Sequence, residues 1–277
     1  MSFQLTTLVA AGLAALLATD FVAAQTAAPV VPAAAAKTAE PDYTVSYNLG
    51  VVSDYRFRGV SQTSMAPAVQ GGADFAHKSG VYLGVWASNV KWVKEFNGAT
   101  QGSAEVDVYA GFKTEVAKDV AIDLGAIAYK YPGNNSGAVG TLAPDAWSNA
   151  NTNEFYGAVT YRSVTAKYNR STGDFLGNKG SKGSNYFDLS AAIDLGASMT
   201  LTPHIGRQVV ANTVAATYTD YALTLGKDMG NGFSLSGAIT GTSASKQDGS
   251  GFYYNNPSVN TKFIASPAIV LGAKYSF

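Results

Sequence analysis

The chain has 277 residues, with 19 Lys plus Arg against 19 Asp plus Glu, 29 Gly, 16 Tyr and no Cys. Such a balanced, charge-poor composition offers neither a basic face for nucleic acid nor a polybasic membrane patch, and the lack of cysteine excludes a disulfide scaffold. Apolar residues make up 47 %, yet no apolar run is long enough to cross a bilayer as a helix, which suits a membrane barrel with its apolarity dispersed over alternate strand positions.

Residues 8–18 form an unbroken apolar run, too short for a membrane-spanning helix and right for the core of a secretory signal. Val22-Ala23-Ala24 supplies small residues for cleavage. A signal peptide over 1–24 is therefore expected, with the mature chain starting at Gln25, although no Lys or Arg precedes Lys37, where a positive front is usual. Its removal takes away Asp20 alone and leaves one net positive charge. Ala and Pro then dominate 25–42, a stretch with little to bury that reads as a linker. The rest, 43–277, reads as a single β-barrel.

The strand pattern opens at Tyr43. Val45, Tyr47, Leu49, Val51, Tyr55 and Phe57 fall on one parity, and Ser46, Asn48, Asp54, Arg56 and Arg58 on the other. Period-two alternation puts these sets on opposite faces of a strand lying between unlike media. At ~3.3 Å per residue, a strand over 45–58 crosses a ~30 Å hydrocarbon layer even when tilted. The same alternation predicts strands over 68–76, 81–90, 104–113, 120–130, 153–161, 164–170, 185–193, 199–206, 220–226, 233–240 and 268–277, twelve in all.

The connections sort into two classes. Those at 77–80, 114–119, 162–163, 194–198 and 227–232 are short; those at 91–103, 131–152, 171–184, 207–219 and 241–267 are longer, and the two kinds alternate. Short turns at one end and long loops at the other mark an antiparallel up-and-down transmembrane β-barrel, and a sandwich has no reason to sort its loops so. Because an open sheet edge in hydrocarbon leaves amides and carbonyls unpaired, the last strand must pair with the first. Phe57, Phe155 and Tyr168 toward the long loops, and Phe75, Phe112, Tyr161, Phe233 and Tyr275 toward the short turns, are expected to form aromatic girdles at the two lipid interfaces.

The run Ser53-Asp54-Tyr55-Arg56-Phe57-Arg58-Gly59-Val60-Ser61-Gln62, with Ala68-Val69-Gln70-Gly71-Gly72 and Gly80-Val81-Tyr82-Leu83-Gly84-Val85-Trp86, resembles the TorF-type family of porins. Tyr129-Lys130-Tyr131-Pro132-Gly133 and Leu201-Thr202-Pro203-His204-Ile205-Gly206 echo it further along. The resemblance implies an outer-membrane barrel of Gram-negative bacteria, with lipid and small hydrophilic solutes as partners. Gly272, Tyr275 and Phe277 also resemble the terminal signal read by the barrel-insertion machinery, a further expected partner, except that Val270 stands where that signal commonly has a polar residue.

By parity the inward charges are Asp54, Arg56, Arg58, Asp74, Glu105, Asp107, Asp123, Glu154, Lys167, Asp188, Asp220 and Lys274. Of these, Asp54, Arg56, Arg58, Glu105, Asp107, Glu154 and Asp220 are the candidate pore-lining set. Twelve strands leave a narrow lumen that such side chains can constrict or block, so the set is either a selectivity constriction or an ion-pair network stapling the barrel. No nucleophile elbow, phosphate loop or Cys/His cluster occurs, and His204 faces inward on a strand, so no catalytic residue, cofactor or metal is expected. The expected function is passive diffusion of small hydrophilic solutes; a closed barrel with a structural or adhesion role and a soluble exported β-protein are the alternatives. Monomer and trimer are both compatible with the sequence.

Overall fold

The computed structural model describes residues 41–138, 145–246, 253–255 and 262–277. The expected signal peptide over 1–24, and the linker up to residue 40, lie outside the described residues. The chain forms β1 (Tyr43–Val52), a small hairpin of β2 (Arg56–Phe57) and β3 (Val60–Ser61), then β4 (Ala68–His77), β5 (Val81–Asn89) and a single helical turn α1 (Trp92–Glu95). It continues with β6 (Ala104–Ala117), β7 (Val120–Lys130), β8 (Thr152–Tyr161), β9 (Val164–Ser171), β10 (Asn185–Ala191), β11 (Ile193–Gly196), β12 (Met199–Val209), β13 (Tyr218–Gly230), β14 (Phe233–Thr242) and β15 (Ala268–Ser276).

Neighbours in sequence are neighbours in the sheet, and every pairing is antiparallel. β1 pairs with β4 on one side and with β15 on the other, Leu49 lying opposite Tyr275. Backbone bonds of 2.8 and 3.0 Å between Tyr47 and Phe277 extend this seam to the last residue. β10 and β11 share β12 as partner in one register, so they are a single strand interrupted at Ala192. That register sets Pro203 opposite the end of β10, where its missing amide proton weakens the ladder. Twelve strands therefore close into a barrel, as the alternation predicts.

The connection at 162–163 is as expected, and the other short connections are shorter than expected, because β4, β6, β11 and β13 run on toward the turns. Residues 118–119, 162–163, 197–198 and 231–232 suffice to reverse the chain. Asn231 (φ 52) and Gly232 (φ 79) supply two left-handed residues, the backbone of a type I′ turn whose twist matches the flanking strands.

The barrel is apolar outside and polar within. Leu49, Val69, Leu124, Phe155, Ile239, Ile269 and Leu271 are each more than half exposed on the outer face, whereas Gln70, Lys113, Asp123, Asn169, Asp188 and Gln208 are buried inside. Such a surface suits a hydrocarbon surrounding and not a water-soluble β-protein. On β5, Val81, Leu83 and Val85 point out, and Tyr82 and Trp86 point in.

One expectation is overturned. The opening strand does not continue to Arg58; it leaves the wall after Val52, and residues 53–67 fold into the lumen. Ser53 makes the last bonds of this strand to its neighbour β15, its amide donating to Leu271 O at 2.8 Å and its hydroxyl accepting from Leu271 N at 2.9 Å. Arg58 (φ 48) and Gly59 (φ 80) then turn β2 back onto β3 in a type I′ hairpin. Tyr55 and Phe57 are consequently 2 % and 4 % exposed, so Phe57 is no girdle residue. The physical reason is that a hairpin packed in a lumen keeps the same two-residue alternation as a strand in the wall.

Candidate pore constriction

The inserted hairpin reaches across the lumen. A Cβ on Gly59 would lie 2.8 Å from both Asp220 Cβ and Thr242 Cγ2, on β13 and β14 of the far wall, so the tip is seated against that wall and only glycine fits. Its base is held by the loops. Gln62 O accepts from the amides of Lys91 and Trp92 at 2.8 and 3.1 Å, and the Ser61 amide donates to Ile264 O at 2.9 Å.

Two arginines fix it. Arg56 donates to Asp54 Oδ2 at 2.6 Å and to the carbonyls of Gly59, Ile264 and Ser266 at 3.0, 3.2 and 2.7 Å. Asp54 in turn accepts from the Ser61 hydroxyl at 2.5 Å. Arg58 forms a two-point pair with Glu154 of β8, at 3.2 and 2.6 Å, and donates to Gln208 Oε1 of β12 at 2.7 Å. Its guanidinium also lies 4.7 Å from the Phe57 ring centroid, 4.3 Å from Tyr186 and 5.5 Å from Phe175. The fork geometry and weak hydration of arginine suit both kinds of contact.

All seven candidate pore-lining residues come together inside the barrel, none more than 5 % exposed. Asp54, Arg56 and Arg58 arrive on the hairpin, Glu105 and Asp107 on β6, Glu154 on β8 and Asp220 on β13. Tyr55 donates to Glu105 Oε1 at 3.2 Å, which ties the hairpin's near side to the wall. Tyr131, in the connection after β7, also bonds to Glu105; burial first, then the Glu105 and Asp107 carboxylates, raise its phenol well above the ordinary value, so it stays a proton donor. Toward the centre of the lumen, Tyr186 Oη donates to Asp220 at 3.1 and 3.2 Å and lies 3.0 Å from His204 Nε2, which also contacts Asp188. Among the described residues no group of His, Cys, Asp and Glu has the arrangement of a metal site.

Beyond the hairpin, tyrosines fill the lumen. Tyr109, Tyr82 and Tyr156 each lie directly across a strand pair from Gly84, Gly111 and Gly125 and cover the glycine face. Tyr82 Oη donates to Asp123 at 2.6 Å and Tyr109 Oη to Asp74 at 2.5 Å. The charge list read from parity did not include these tyrosines, nor Lys113, Gln208 and Tyr186. An inward Tyr opposite an inward Gly is legible once strands are paired, but Gln208 falls in what reads as a loop.

The remaining girdle residues, Phe75, Phe112, Phe155, Tyr161, Tyr168, Phe233 and Tyr275, lie exposed on the outer face. Tyr275 and Phe277 stack there at 5.8 Å, and Gly272 sits in the seam opposite Val52.

Residues 35–268 match the model of a family described as bacterial protein of unknown function (Gcw_chp). No curated protein matches the chain. Among solved structures, the KdgM porin in complex with disordered oligogalacturonate is similar at a TM-score of 0.51 and 8 % identity, over 84 % of this chain and 98 % of that one. The TodX deltaS2S3 mutant monoaromatic hydrocarbon channel gives 0.47 and 10 %, over 85 % and 90 %. At this identity the KdgM likeness bears on the fold alone, which is that of a porin-like barrel.

Proposed function

The chain belongs to the Gcw_chp family of bacterial proteins of unknown function, and from that premise we propose that it is an outer-membrane channel for passive diffusion of small hydrophilic solutes, narrowed by its first long loop. The observation that carries this reading is the hairpin 53–67 seated inside a charged lumen whose outer wall is apolar. A barrel with only a scaffold role needs no loop across its mouth, whereas a constriction set by Arg56 and Arg58 against the acidic residues Glu105, Asp107, Glu154 and Asp220 is what discriminates ions in a pore. The Gram-negative outer membrane as location, the TorF-type assignment and the reading of the C-terminus by insertion machinery rest on the sequence motifs. The exposed aromatics near both barrel ends support the two girdles.

Planar-bilayer recording under a KCl gradient tests the channel. Within a Debye length of ~8 Å each lumen charge biases the local ions, so Arg56→Gln with Arg58→Gln should move the reversal potential toward stronger cation preference. Conductance should rise at the same time, since the hairpin loses both anchors. Phe155→Leu, on the outer face, should change neither. A reversal potential unchanged in a conducting double variant would sink the proposed constriction. The closed-barrel alternative is favoured by one observation: Arg58, Glu105 and Glu154 are each only 1 % exposed. It predicts that the wild type never conducts and that the double variant loses its resistance to unheated SDS without gaining conductance.

A further inference from the structure

The outer face of the barrel is apolar around its waist, but at the end of the long connections it carries cations. Arg170 on β9 and Arg207 on β12 are exposed there, and Lys130 at the end of β7 is half-buried. Arg170 stands directly across from Phe155 of β8 and Asn185 of β10, and Arg207 from Phe187 of β10 and Thr219 of β13. The two arginines are two strand spacings and two residues apart, about 12 Å between their backbones. Lys179 and Lys182, both exposed in the connection from β9 to β10, add charge of the same sign.

Among the described residues none of the three strand cations meets a carboxylate. Lys130 Nζ donates to Asn153 Oδ1 at 3.1 Å and Arg207 Nη1 to Thr219 Oγ1 at 3.0 Å, both neutral acceptors. The Arg170 guanidinium lies against Gly183, where a Cβ would come 3.0 Å from its Nη2, so the side chain is turned toward the connection and away from the waist. Asp174, in that same connection, directs its carboxylate to the Ser148 hydroxyl at 2.8 Å and the Ser181 amide at 3.1 Å. Asp145, in the connection from β7 to β8, pairs with none of the three. At the short-turn end two cations are answered, Lys78 by Asp42 at 2.6 Å and Arg162 by Asp119 at 3.6 Å.

We propose that this arc of the outer face, from β7 to β12, holds a phosphate-bearing lipid of the surrounding leaflet. A cation on the lipid face is costly at mid-bilayer and tolerated near the headgroups, where anionic lipid supplies the counter-charge that the protein withholds. An arginine fork donates two parallel bonds to a phosphate, and two forks side by side favour a headgroup carrying two phosphates. Phe155, Tyr168 and Phe187, each exposed on the same face, offer apolar surface to the acyl chains. A free phosphate ion would meet the arginines and leave those rings uncovered. The site faces away from the lumen, so the inference holds whether or not the barrel conducts.

Native mass spectrometry of the detergent-extracted protein, titrated with diphosphoryl lipid A, tests it. The wild type should take up this lipid saturably and dephosphorylated lipid A, which keeps the acyl chains, far more weakly. Arg170→Gln with Arg207→Gln should weaken binding about thirtyfold, and either change alone about fivefold. Arg162→Gln, at the short-turn end, should leave it unchanged, and unheated SDS electrophoresis establishes that each variant is a closed barrel. The proposal is overturned if the folded wild type shows no saturation, if the dephosphorylated lipid binds as tightly, or if inorganic phosphate at equal concentration displaces the lipid. It is overturned equally if the arginine variants bind like the wild type, or if Arg162→Gln weakens binding as much as they do. A lipid-free dimer that the double variant loses would assign the arc to a second copy of the chain and likewise end the proposal.

Discussion

A guanidinium buried to the degree of Arg58 is prohibitive in isolation, because several kcal/mol of hydration are lost. The cost is offset by its two bonds to Glu154, a third to Gln208 and the faces of Phe57 and Tyr186. Lysine would keep the charge but lose the fork and the stacking. Arg58→Lys is therefore expected to destabilise the folded barrel by about 1–3 kcal/mol. Arg58→Met should cost more, about 3–5 kcal/mol, because it strands the Glu154 carboxylate in a dry interior. The temperature at which the SDS-resistant form is lost reports both, and equal transitions for the wild type and the methionine variant would mean that Arg58 is not anchored as described. Gly59→Ala belongs to the same test: a left-handed backbone and contacts of 2.8 Å to Asp220 and Thr242 leave its methyl no room.

Between strands, the unit of packing inside the barrel is a tyrosine laid over the glycine opposite it. Gly125 on β7 faces Tyr156 on β8, and any Cβ there would run into the Tyr156 phenol. Gly125→Ala should destabilise the barrel by about 1–3 kcal/mol through overpacking. Tyr156→Ala removes the larger part of the obstruction and leaves Ala110 O, 2.8 Å from such a Cβ, so the double variant should be less destabilised than the sum of the singles, by about 0.5–3 kcal/mol. Strict additivity in thermal unfolding would show that the two residues do not share the space. Parity alone identifies both as inward residues. Their contact needs the register, which no short turn fixes, because β7 and β8 are joined by the long connection between residues 130 and 152.

At the scale of the molecule, the fold is held by closure. β15 completes the ring by pairing with β1 and β14, and Phe277 adds backbone bonds to Tyr47 and a ring stack on the same residue at 5.7 Å. Changing Tyr275 and Phe277 together to Ser removes the aromatic surface of this seam from the outer face. The expected outcome is loss of SDS-resistant barrel from the membrane fraction and accumulation of aggregated or degraded chain. Normal membrane levels with unchanged heat-modifiability would contradict both the seam's importance and the reading of these residues as an insertion signal.

By itself the sequence determined the number of strands, the medium each face meets and the two classes of connection, because alternation with period two is a local property and does not depend on what lies across the barrel. For the same reason it placed Asp54, Arg56, Arg58, Glu105, Asp107, Glu154 and Asp220 on the inner side. Only the tertiary structure decided where the opening strand ends. Tyr55-Arg56-Phe57-Arg58 alternates identically in a wall strand and in a lumen hairpin, and the choice turns on contacts with Glu154, Gln208 and Ile264, 96 to 208 residues away along the chain. The packing of Trp92 on Tyr131 and of Trp147 on Tyr253 was illegible for a related reason: these aromatics come from long connections with no periodicity, and they meet only once twelve strands have brought those connections to one end.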